Sequence, residues 1–334
     1  MRSDRPNPKG VVGLSEVDHG LIRALRADGR ESFRSLAESL GITQRQVRKR
    51  VKELSDAGVL TVTVVANPAV LGYRAVGIVA LRARGRRLTE IADDVAAIDT
   101  VDYVNVTAGR FQLFAQVVAE NLEDLNNTAE DVILKVPGVD SLELFPYRHL
   151  HYQATLSGPP SAVVALPRTD QPIDLDGLDR AIIAELSEDG RLPLSQVATT
   201  VGTSETQVRR RLKRLTDHGA IRIVAAVNPL SHGYETIARL AVVVAGGHRA
   251  DEVAEALAHI PTITYVAVCT GRYDIFCEAV CVSMFELDAL LDEQVQAVEG
   301  ILRCETFVHV AQLHYRPLRP ENGVNADADA LETS

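Results

Sequence analysis

A long internal repeat constrains this chain more than any other feature. The segment GITQRQVRKRVKELSDAGVL, residues 41–60, returns as GTSETQVRRRLKRLTDHGAI, residues 202–221, at an offset of 161 positions. Such a repeat indicates two copies of one folding unit. The chain has 334 residues, which is also long for a single hydrophobic core. We therefore expect two equivalent halves.

Each copy of this segment carries the start and stop signals of one helix. Thr43 and Ser204 stand at N-cap positions, and each is followed three residues later by the glutamine of a capping box. Gly58 and Gly219 stand where a left-handed C-cap favours glycine. Between these signals, apolar residues recur at the i, i+4, i+7 spacing of one helix face. They are Val47, Val51 and Leu54 in the first copy and Val208, Leu212 and Leu215 in the second.

The face opposite this apolar stripe is cationic, which suits the phosphate-lined major groove of DNA. In each copy a shorter amphipathic helix, within residues 35–41 and 195–202, precedes through a glycine-containing turn. This order is the helix-turn-helix pattern, so we predict double-stranded DNA as a partner. A solvated basic face is the alternative interpretation. The candidate DNA-contacting residues are Gln44, Arg45, Arg48, Lys49 and Lys52 in the first copy and Glu205, Thr206, Arg209, Arg210 and Lys213 in the second, with Arg214 on the flank.

The net charge of −10 is unusual for a DNA-binding protein, but the charge is unevenly distributed. Residues 14–67 contain 9 Lys/Arg and 7 Asp/Glu, and residues 175–228 contain 8 and 7. Residues 229–317 contain 5 basic and 12 acidic residues. Because affinity for DNA follows local phosphate contacts, the acidic total does not exclude a DNA-binding function.

The pattern after each helix-turn-helix becomes that of strands. Two β-rich runs, 60–66 and 221–227, end at Asn-Pro and are predicted to form either a wing or a strand leaving the DNA-binding unit. The order βαββαβ follows in both copies, which is typical of a ferredoxin-like antiparallel sheet with helices on one face. The predicted fold class is α+β, with two repeats, each a three-helix winged helix-turn-helix followed by a ferredoxin-like βαββαβ domain. The expected boundaries are 14–67 and 174–228 for the DNA-binding domains, 68–152 and 229–317 for the ferredoxin-like domains, 153–173 for a linker and 318–334 for a disordered tail.

Taken together, these features resemble the Lrp/AsnC family of bacterial and archaeal transcription regulators. Besides the helix-turn-helix and the βαββαβ order, the resemblance rests on Asn67-Pro68 and Asn228-Pro229, on Leu71-Gly72-Tyr73 and His232-Gly233-Tyr234, and on the Thr-Gly-Arg-Tyr-Asp run from Thr270 to Asp274. It covers residues 14–152 and 175–316. Members usually carry one such unit and dimerise, so the duplicated chain resembles a built-in pseudo-dimer. We expect these pseudo-dimers to assemble further into a homo-oligomer.

The resemblance implies that the βαββαβ domains bind an amino acid or a similar small effector. Its Gly-x-x-Asp element lies in the turn between the middle strands, and the candidate effector-binding residues are Thr270, Gly271, Tyr273 and Asp274. The first copy has Gln112 where the second has Asp274, and a neutral amide is a weaker partner for an ammonium group than a carboxylate. We therefore predict one competent effector site per chain. A purely turn-stabilising role for Asp274 is an equal alternative.

Two other functions stay open at this point. The related siroheme decarboxylases share the fold, but carry a His-Arg pair in the loop where this chain has Asn-Pro. The second alternative is an architectural DNA-binding protein without an effector. We predict a regulator that is not an enzyme.

No cofactor, metal or membrane is predicted as a partner. His149 and His151 share a strand face, but no carboxylate or thiol is clearly placed beside them in the sequence. The four cysteines lack metal-site spacing and are expected to be reduced, buried thiols. No signal peptide or long apolar run is evident, so we expect a cytoplasmic protein.

Overall fold

A computed structural model describes residues 14–66, 71–153, 173, 175–227 and 234–315. Most of the expected linker, the expected tail, both Asn-Pro dipeptides and the pair His232-Gly233 lie outside these residues.

The two copies have the same order of elements. The first contains α1 (Glu16–Ala27), α2 (Phe33–Leu40), α3 (Gln44–Asp56), β1 (Leu60–Ala66), β2 (Ala75–Ala83), α4 (Leu88–Ala96), β3 (Val101–Thr107), β4 (Leu113–Ala119), α5 (Leu122–Asn127) and β5 (Val139–Gln153). The second contains α6 (Gly177–Glu188), α7 (Leu194–Thr200), α8 (Glu205–Asp217), β6 (Ile221–Val227), β7 (Thr236–Val244), α9 (Ala250–Ala258), β8 (Ile263–Cys269), β9 (Ile275–Cys281), α10 (Met284–Ala289) and β10 (Ile301–Tyr315). The predicted α+β class with its duplicated βαββαβ order is confirmed.

The predicted capping signals of α3 and α8 are realised to different degrees. Thr43 and Gln46 form a complete capping box at the start of α3. At the start of α8, Ser204 accepts a hydrogen bond from the backbone of Gln207, but the Gln207 side chain accepts instead from Thr203. Gly58 and Gly219 are left-handed, as the C-cap prediction requires.

The runs 60–66 and 221–227 were predicted to form either a wing or a strand leaving the DNA-binding unit. The structure shows the second of these alternatives. β1 pairs antiparallel with β6 of the other copy, from Leu60 opposite Val227 to Ala66 opposite Ile221. Within the described residues these two strands make a two-stranded sheet, so neither copy builds a wing hairpin of its own. The two DNA-binding units also share one hydrophobic core, with side chains from both sets of three helices. The expected wing is therefore corrected to a strand that joins the two units.

The two ferredoxin-like sheets join into one closed barrel, which the sequence did not predict. Its strand order is β10-β3-β4-β2-β5-β8-β9-β7. The long strands β5 and β10 make the two seams, because β5 pairs with β8 and β10 pairs with β3. Each half packs its helices against the outer face in a core of its own. The inner face carries a third core, which includes Phe114, Phe145, Phe276 and Phe307.

The second helix of each ferredoxin-like domain is α-helical only in its first part. α5 and α10 continue as π-helical segments, Thr128–Val132 and Leu290–Val295. No helix among the described residues is long and apolar enough to cross a membrane.

Candidate functional site

All ten predicted DNA-contacting side chains lie on the solvent side of α3 and α8. Every one of these residues is exposed, whereas the apolar stripe of each helix is buried in the shared core. The cationic side chains near the ends of the helices form i, i+4 ion pairs, such as Lys52 with Asp56 at 2.8 Å and Lys213 with Asp217 at 2.6 Å. Exposed pairs of this kind contribute little to stability, so they leave these cations able to rearrange onto phosphates.

The two helices hold their equivalent arginines differently. The guanidinium carbon of Arg48 lies 5.4 Å from the centre of the Phe33 ring. In α8 the equivalent Arg209 donates to the carboxylate of Glu205 at 2.6 Å. Phe33 is replaced by Leu194 in the second copy, and Glu205 by Gln44 in the first. One arginine is thus stacked on a neutral ring and the other is already paired with an anion.

The remaining arginines of the two helices are structural. Asp18 is fully buried and accepts two hydrogen bonds from Arg50, at 2.5 and 2.7 Å. In the second copy, Asp179 is held by Arg211 and Arg214. Our sequence interpretation had placed Arg214 on the DNA-facing flank. Its contact with the buried carboxylate of Asp179 anchors α8 to α6, while the Arg214 side chain stays 42% exposed.

Two arginines missed by the sequence analysis tie the DNA-binding units together. Arg30 donates to the carbonyl oxygens of Gly190 and Leu192, at 2.6 and 3.0 Å. Arg191 repeats both contacts in the opposite direction, to Gly29 and Glu31. A Cβ at Gly29 would lie 2.9 Å from the backbone of Ile223, so only glycine permits this approach. The recurrence of Asp-Gly-Arg at residues 28–30 and 189–191 is the sequence signal that could have found these contacts.

The predicted effector residues lie at the β8–β9 turn, where each has a structural contact. Tyr273 is buried, and its hydroxyl donates to Glu305 at 2.5 Å. One carboxylate oxygen of Asp274 accepts from the backbone N–H of Val244 at 2.8 Å. The exposed Thr270 contacts the Pro146 carbonyl, and a Cβ at Gly271 would lie 2.9 Å from Phe145. The turn therefore packs against the other half of the chain.

The corresponding turn of the first copy makes the same backbone contact without a carboxylate. Gln112 accepts from the backbone N–H of Ala83 at 3.1 Å, in the position where Asp274 accepts from Val244. Its amide nitrogen donates to Gly109 at 3.0 Å. The pair Asp274 and Gln112 thus shares a turn-stabilising role, which was the alternative to ligand binding.

The histidine pair does have carboxylates beside it, contrary to our sequence interpretation. The Nε2 atom of His149 lies 3.3 Å from Asp251, and the Nε2 atom of His151 lies 2.8 Å from Glu255. These contacts join β5 of the first copy to α9 of the second. Among the described residues, no group of three or more His, Cys, Asp or Glu side chains could hold a metal ion. The two histidines therefore contribute to the contact between the first and second copies.

The four cysteines are free thiols, as predicted. Three are buried and Cys304 is half-buried. Burial raises the pKa of Cys269 to about 12 and that of Cys281 to about 11. Thiols of this kind are poor nucleophiles at neutral pH.

Sequence comparison finds two domain types, each present twice. The AsnC-type helix-turn-helix domain matches residues 14–55 and 175–216. The Lrp/AsnC ligand binding domain matches residues 76–147 and 239–318. These matches follow the two copies of the structure.

The similar curated proteins correspond to a single copy. An uncharacterised HTH-type transcriptional regulator of Pyrococcus horikoshii is 36% identical over 137 residues, which is 41% of this chain and 86% of that protein. The HTH-type transcriptional regulator LrpA of the same organism is 32% identical over 127 residues, or 38% of this chain and 90% of that protein.

One solved structure has the whole duplicated arrangement. The siroheme decarboxylase NirDL aligns with a TM-score of 0.62 and 17% identity, covering 90% of this chain and 93% of that chain. This likeness establishes a shared fold. It also shows that a protein with this fold can be an enzyme.

Proposed function

The chain belongs to the Lrp/AsnC family of transcriptional regulators. We propose that α3 and α8 are recognition helices that bind different DNA sequences and are held in a fixed position relative to each other. The main support for the proposal is the burial pattern of each helix. The apolar stripe is buried in the shared core, and the basic face is exposed. The reciprocal contacts of Arg30 and Arg191 support a fixed relation between the two helices. The ten exposed side chains named above are the proposed DNA contacts.

The direct test replaces Arg48 and Lys49 together with alanine. Binding to the DNA upstream of the gene, followed by fluorescence anisotropy, should weaken because exposed cations that contact phosphates are lost. The slope of log affinity against log salt should become shallower by about 1 for each phosphate contact removed. The circular dichroism spectrum and the melting temperature should stay nearly unchanged. Loss of the folded spectrum together with binding would show that these residues are structural.

The effector is proposed to be an amino acid. The candidate site at Thr270, Gly271, Tyr273 and Asp274 is supported by the partly exposed carboxylate of Asp274, of which one oxygen holds Val244 and the other could accept from an ammonium group. Calorimetry with amino acids should give a stoichiometry near one per chain that Asp274→Ala abolishes. Equal binding by both halves would contradict this assignment.

Assembly of several chains is proposed to use an apolar surface at the β9–α10 junction. Val282, Met284 and Phe285 are exposed there, and Phe285 is 87% exposed. Neighbouring apolar side chains of this size mark association surfaces. Phe285→Glu introduces the residue that the first copy has at this position, Glu123. It should reduce the mass measured by light scattering, and an unchanged mass would exclude this surface.

We do not assign an enzyme activity to the chain. The exposed cationic faces of α3 and α8 favour DNA binding, since decarboxylation of a tetrapyrrole does not require them. The Asn-Pro dipeptides that replace the expected His-Arg pair lie outside the described residues and stay a sequence argument. Purified protein that carries a tetrapyrrole absorption band would favour the enzyme.

A further inference from the structure

The Phe33 ring at the start of α2 is shared by two guanidinium groups that belong to different copies. The guanidinium carbon of Arg191, from the second copy, lies 4.4 Å from the centre of this ring. That of Arg48, on α3 of the first copy, lies 5.4 Å from it. Both distances are within the range of about 6 Å over which an aromatic ring attracts a cation. One half-buried side chain therefore connects the contact between the copies to the proposed DNA-binding face.

Arg191 is itself fixed by the backbone of the first copy. Its guanidinium donates to the carbonyl oxygens of Gly29 and Glu31, at 2.6 and 3.0 Å, just before Phe33 in the chain. The Phe33 ring also packs against the core that the two DNA-binding units share. A ring held between a fixed cation and a core has few alternative positions. The exposed guanidinium of Arg48 is therefore attracted to a ring whose place is set from the other side.

The pseudo-symmetric contact lacks a ring. Arg30 makes the reciprocal pair of hydrogen bonds at the same lengths, 2.6 and 3.0 Å. Leu194 stands where the first copy has Phe33, and Arg209 stands where it has Arg48. The two copies therefore make the same contact with each other, but only the first copy places an aromatic side chain beside it.

On the side without a ring, the two arginines act on each other as like charges. Burial lowers the pKa of Arg30, and the charge of Arg209 acts in the same direction. Arg209 donates to Glu205 of its own helix at 2.6 Å. The face of a ring attracts a cation, whereas a neighbouring cation repels it. The orientation of Arg209 is thus set within α8, and that of Arg48 by a side chain that contacts the other copy.

We propose that Arg191 is a positioning residue for Arg48, because it holds the Phe33 ring on which the Arg48 guanidinium stacks. The inference rests on the proposed role of α3 and α8 in DNA binding, and it adds a link between the copies that this role does not require. An exposed cation–π contact corresponds to about a two- to fivefold change in an equilibrium constant. The base preference in the part of the DNA site that α3 contacts should therefore depend on Arg191.

The first test uses two double-mutant cycles measured as DNA affinity. Arg191→Ala and Arg30→Ala each remove one pair of hydrogen bonds between the DNA-binding units, so they weaken this contact to the same extent. Each is combined with Arg48→Ala, and anisotropy titrations give the coupling. We expect a coupling of about two- to fivefold between Arg191→Ala and Arg48→Ala, and additive effects in the control cycle with Arg30→Ala. Equal coupling in both cycles would overturn the proposal, since a loosened contact alone produces that result.

The salt dependence distinguishes positioning from a direct contact with DNA. In the Arg48→Ala background, Arg191→Ala should leave the slope of log affinity against log salt unchanged. A slope that becomes shallower by a further amount of about 1 would show that Arg191 contacts a phosphate itself. The positioning role would then be wrong.

A second measurement needs no DNA. The side-chain Nε–H group of Arg48 is followed by NMR relaxation in the free chain, which reports picosecond to nanosecond mobility. Arg191→Ala should increase the mobility of this group, whereas Arg30→Ala should leave it unchanged. Equal mobility in the two variants would contradict the proposal. If the unaltered chain binds no DNA, the proposed function fails, but this measurement still decides whether Arg191 positions Arg48.

Substitutions of Phe33 test the same link should Arg191→Ala not fold. Phe33→Leu copies Leu194, which the same scaffold accommodates, and it leaves both pairs of hydrogen bonds in place. In sites selected from random DNA, the part contacted by α3 is the one whose base preference changes in Arg48→Ala. Phe33→Leu should relax this preference, and Phe33→Tyr, which keeps the ring, should retain it. An unchanged preference in Phe33→Leu, or an equal loss in Phe33→Tyr, would overturn the role of the ring.

Discussion

The helices α3 and α8 share a scaffold, but differ in what holds their arginines. Both are 13-residue helices with serine or threonine N-caps and a buried stripe of three apolar residues. The guanidinium of Arg48 stacks on the Phe33 ring, while the equivalent Arg209 forms an ion pair with Glu205. A guanidinium on an uncharged ring can donate to a base or a phosphate without first losing an ion pair. In the proposed DNA contact, Arg48 would donate directly, whereas Arg209 would exchange one anion for another.

This comparison shows how two copies of one fold differ in side-chain chemistry. In two unrelated parts of the chain, the copies keep the backbone and exchange the chemistry of a few side chains. In the DNA-binding units the first copy has the arginine without an ion pair, whereas in the barrel the second copy has the buried Arg239 where the first has Ile78.

The largest effect is expected from the basic residues of the two helices. R48A/K49A should reduce affinity for the operator by roughly tenfold to a few hundredfold, since each good arginine–base pair contributes about 1–3 kcal/mol. R209A/R210A should cost less, because Arg209 already has an intramolecular partner. Anisotropy titrations of both double variants on one DNA fragment measure the difference. Equal losses would remove the proposed distinction between the helices.

Much of the fold followed from local sequence signals, and the parts that did not are long-range. Capping residues, apolar periodicity and the repeat predicted the helices and the βαββαβ order, because these depend on neighbouring residues. The barrel closure and the β1–β6 pairing could not be predicted, because each strand pattern shows a buried face but not which strand lies beside it.

The candidate site was predictable to a similar degree. The exposed face of each recognition helix followed from periodicity. The contact of Arg214 with Asp179 was not predicted, because the two residues are 35 positions apart. The core inside the barrel was missed, because its residues come from different strands and meet only when the barrel closes.

A smaller effect is expected at the buried carboxylates that anchor the two helices. Burial raises the pKa of Asp18, but hydrogen bonds from Arg50 and Ser15 outweigh it and lower that pKa to about 2, below its usual value of 3.8. Asp18 thus stabilises the fold above pH 3.8, and this contribution, of about 2 kcal/mol, is lost as the pH falls through about 2. Asp18→Asn should lower the free energy of unfolding at pH 7 by about this amount.

Asp179 is the equivalent of Asp18 in the second copy, so Asp179→Asn is the matched variant of Asp18→Asn. Asp179 is held by two arginines where Asp18 is held by one, so Asp179→Asn should cost at least as much stability. Urea unfolding at pH 7 and at low pH measures both, and the deficit of Asp18→Asn should disappear near pH 2. A deficit that is independent of pH would show that the loss arises from packing and not from the charge.

The Phe33 ring should contribute less than these anchors. It lies 4.4 Å from the guanidinium carbon of Arg191 and 5.4 Å from that of Arg48, and an exposed cation–π contact contributes about 0.5–1 kcal/mol. Phe33→Leu, which copies Leu194, should lower stability by about 1 kcal/mol and operator affinity by a few fold. Leu194→Phe is the reciprocal control and should leave operator binding unchanged or improved. If Phe33→Leu affects stability alone, Arg48 does not need the ring to reach DNA.

The smallest effect, and the one that bears most directly on recognition, is expected from Glu205→Gln. An exposed i, i+4 pair contributes only about 0.2–0.5 kcal/mol, so freeing Arg209 should raise DNA affinity by about twofold. The consequence for sequence preference is larger, because Arg45 can donate to guanine O6 and N7, whereas the equivalent Thr206 cannot. Binding sites selected from random DNA should therefore contain two half-sites about 10 bp apart that are only partly related by inversion. Glu205→Gln should relax selection in the α8 half-site and leave the α3 half-site unchanged. A perfect palindrome for the unaltered protein would mean that identical helices from two chains bind neighbouring grooves, and the two helices of one chain would then not act as a pair.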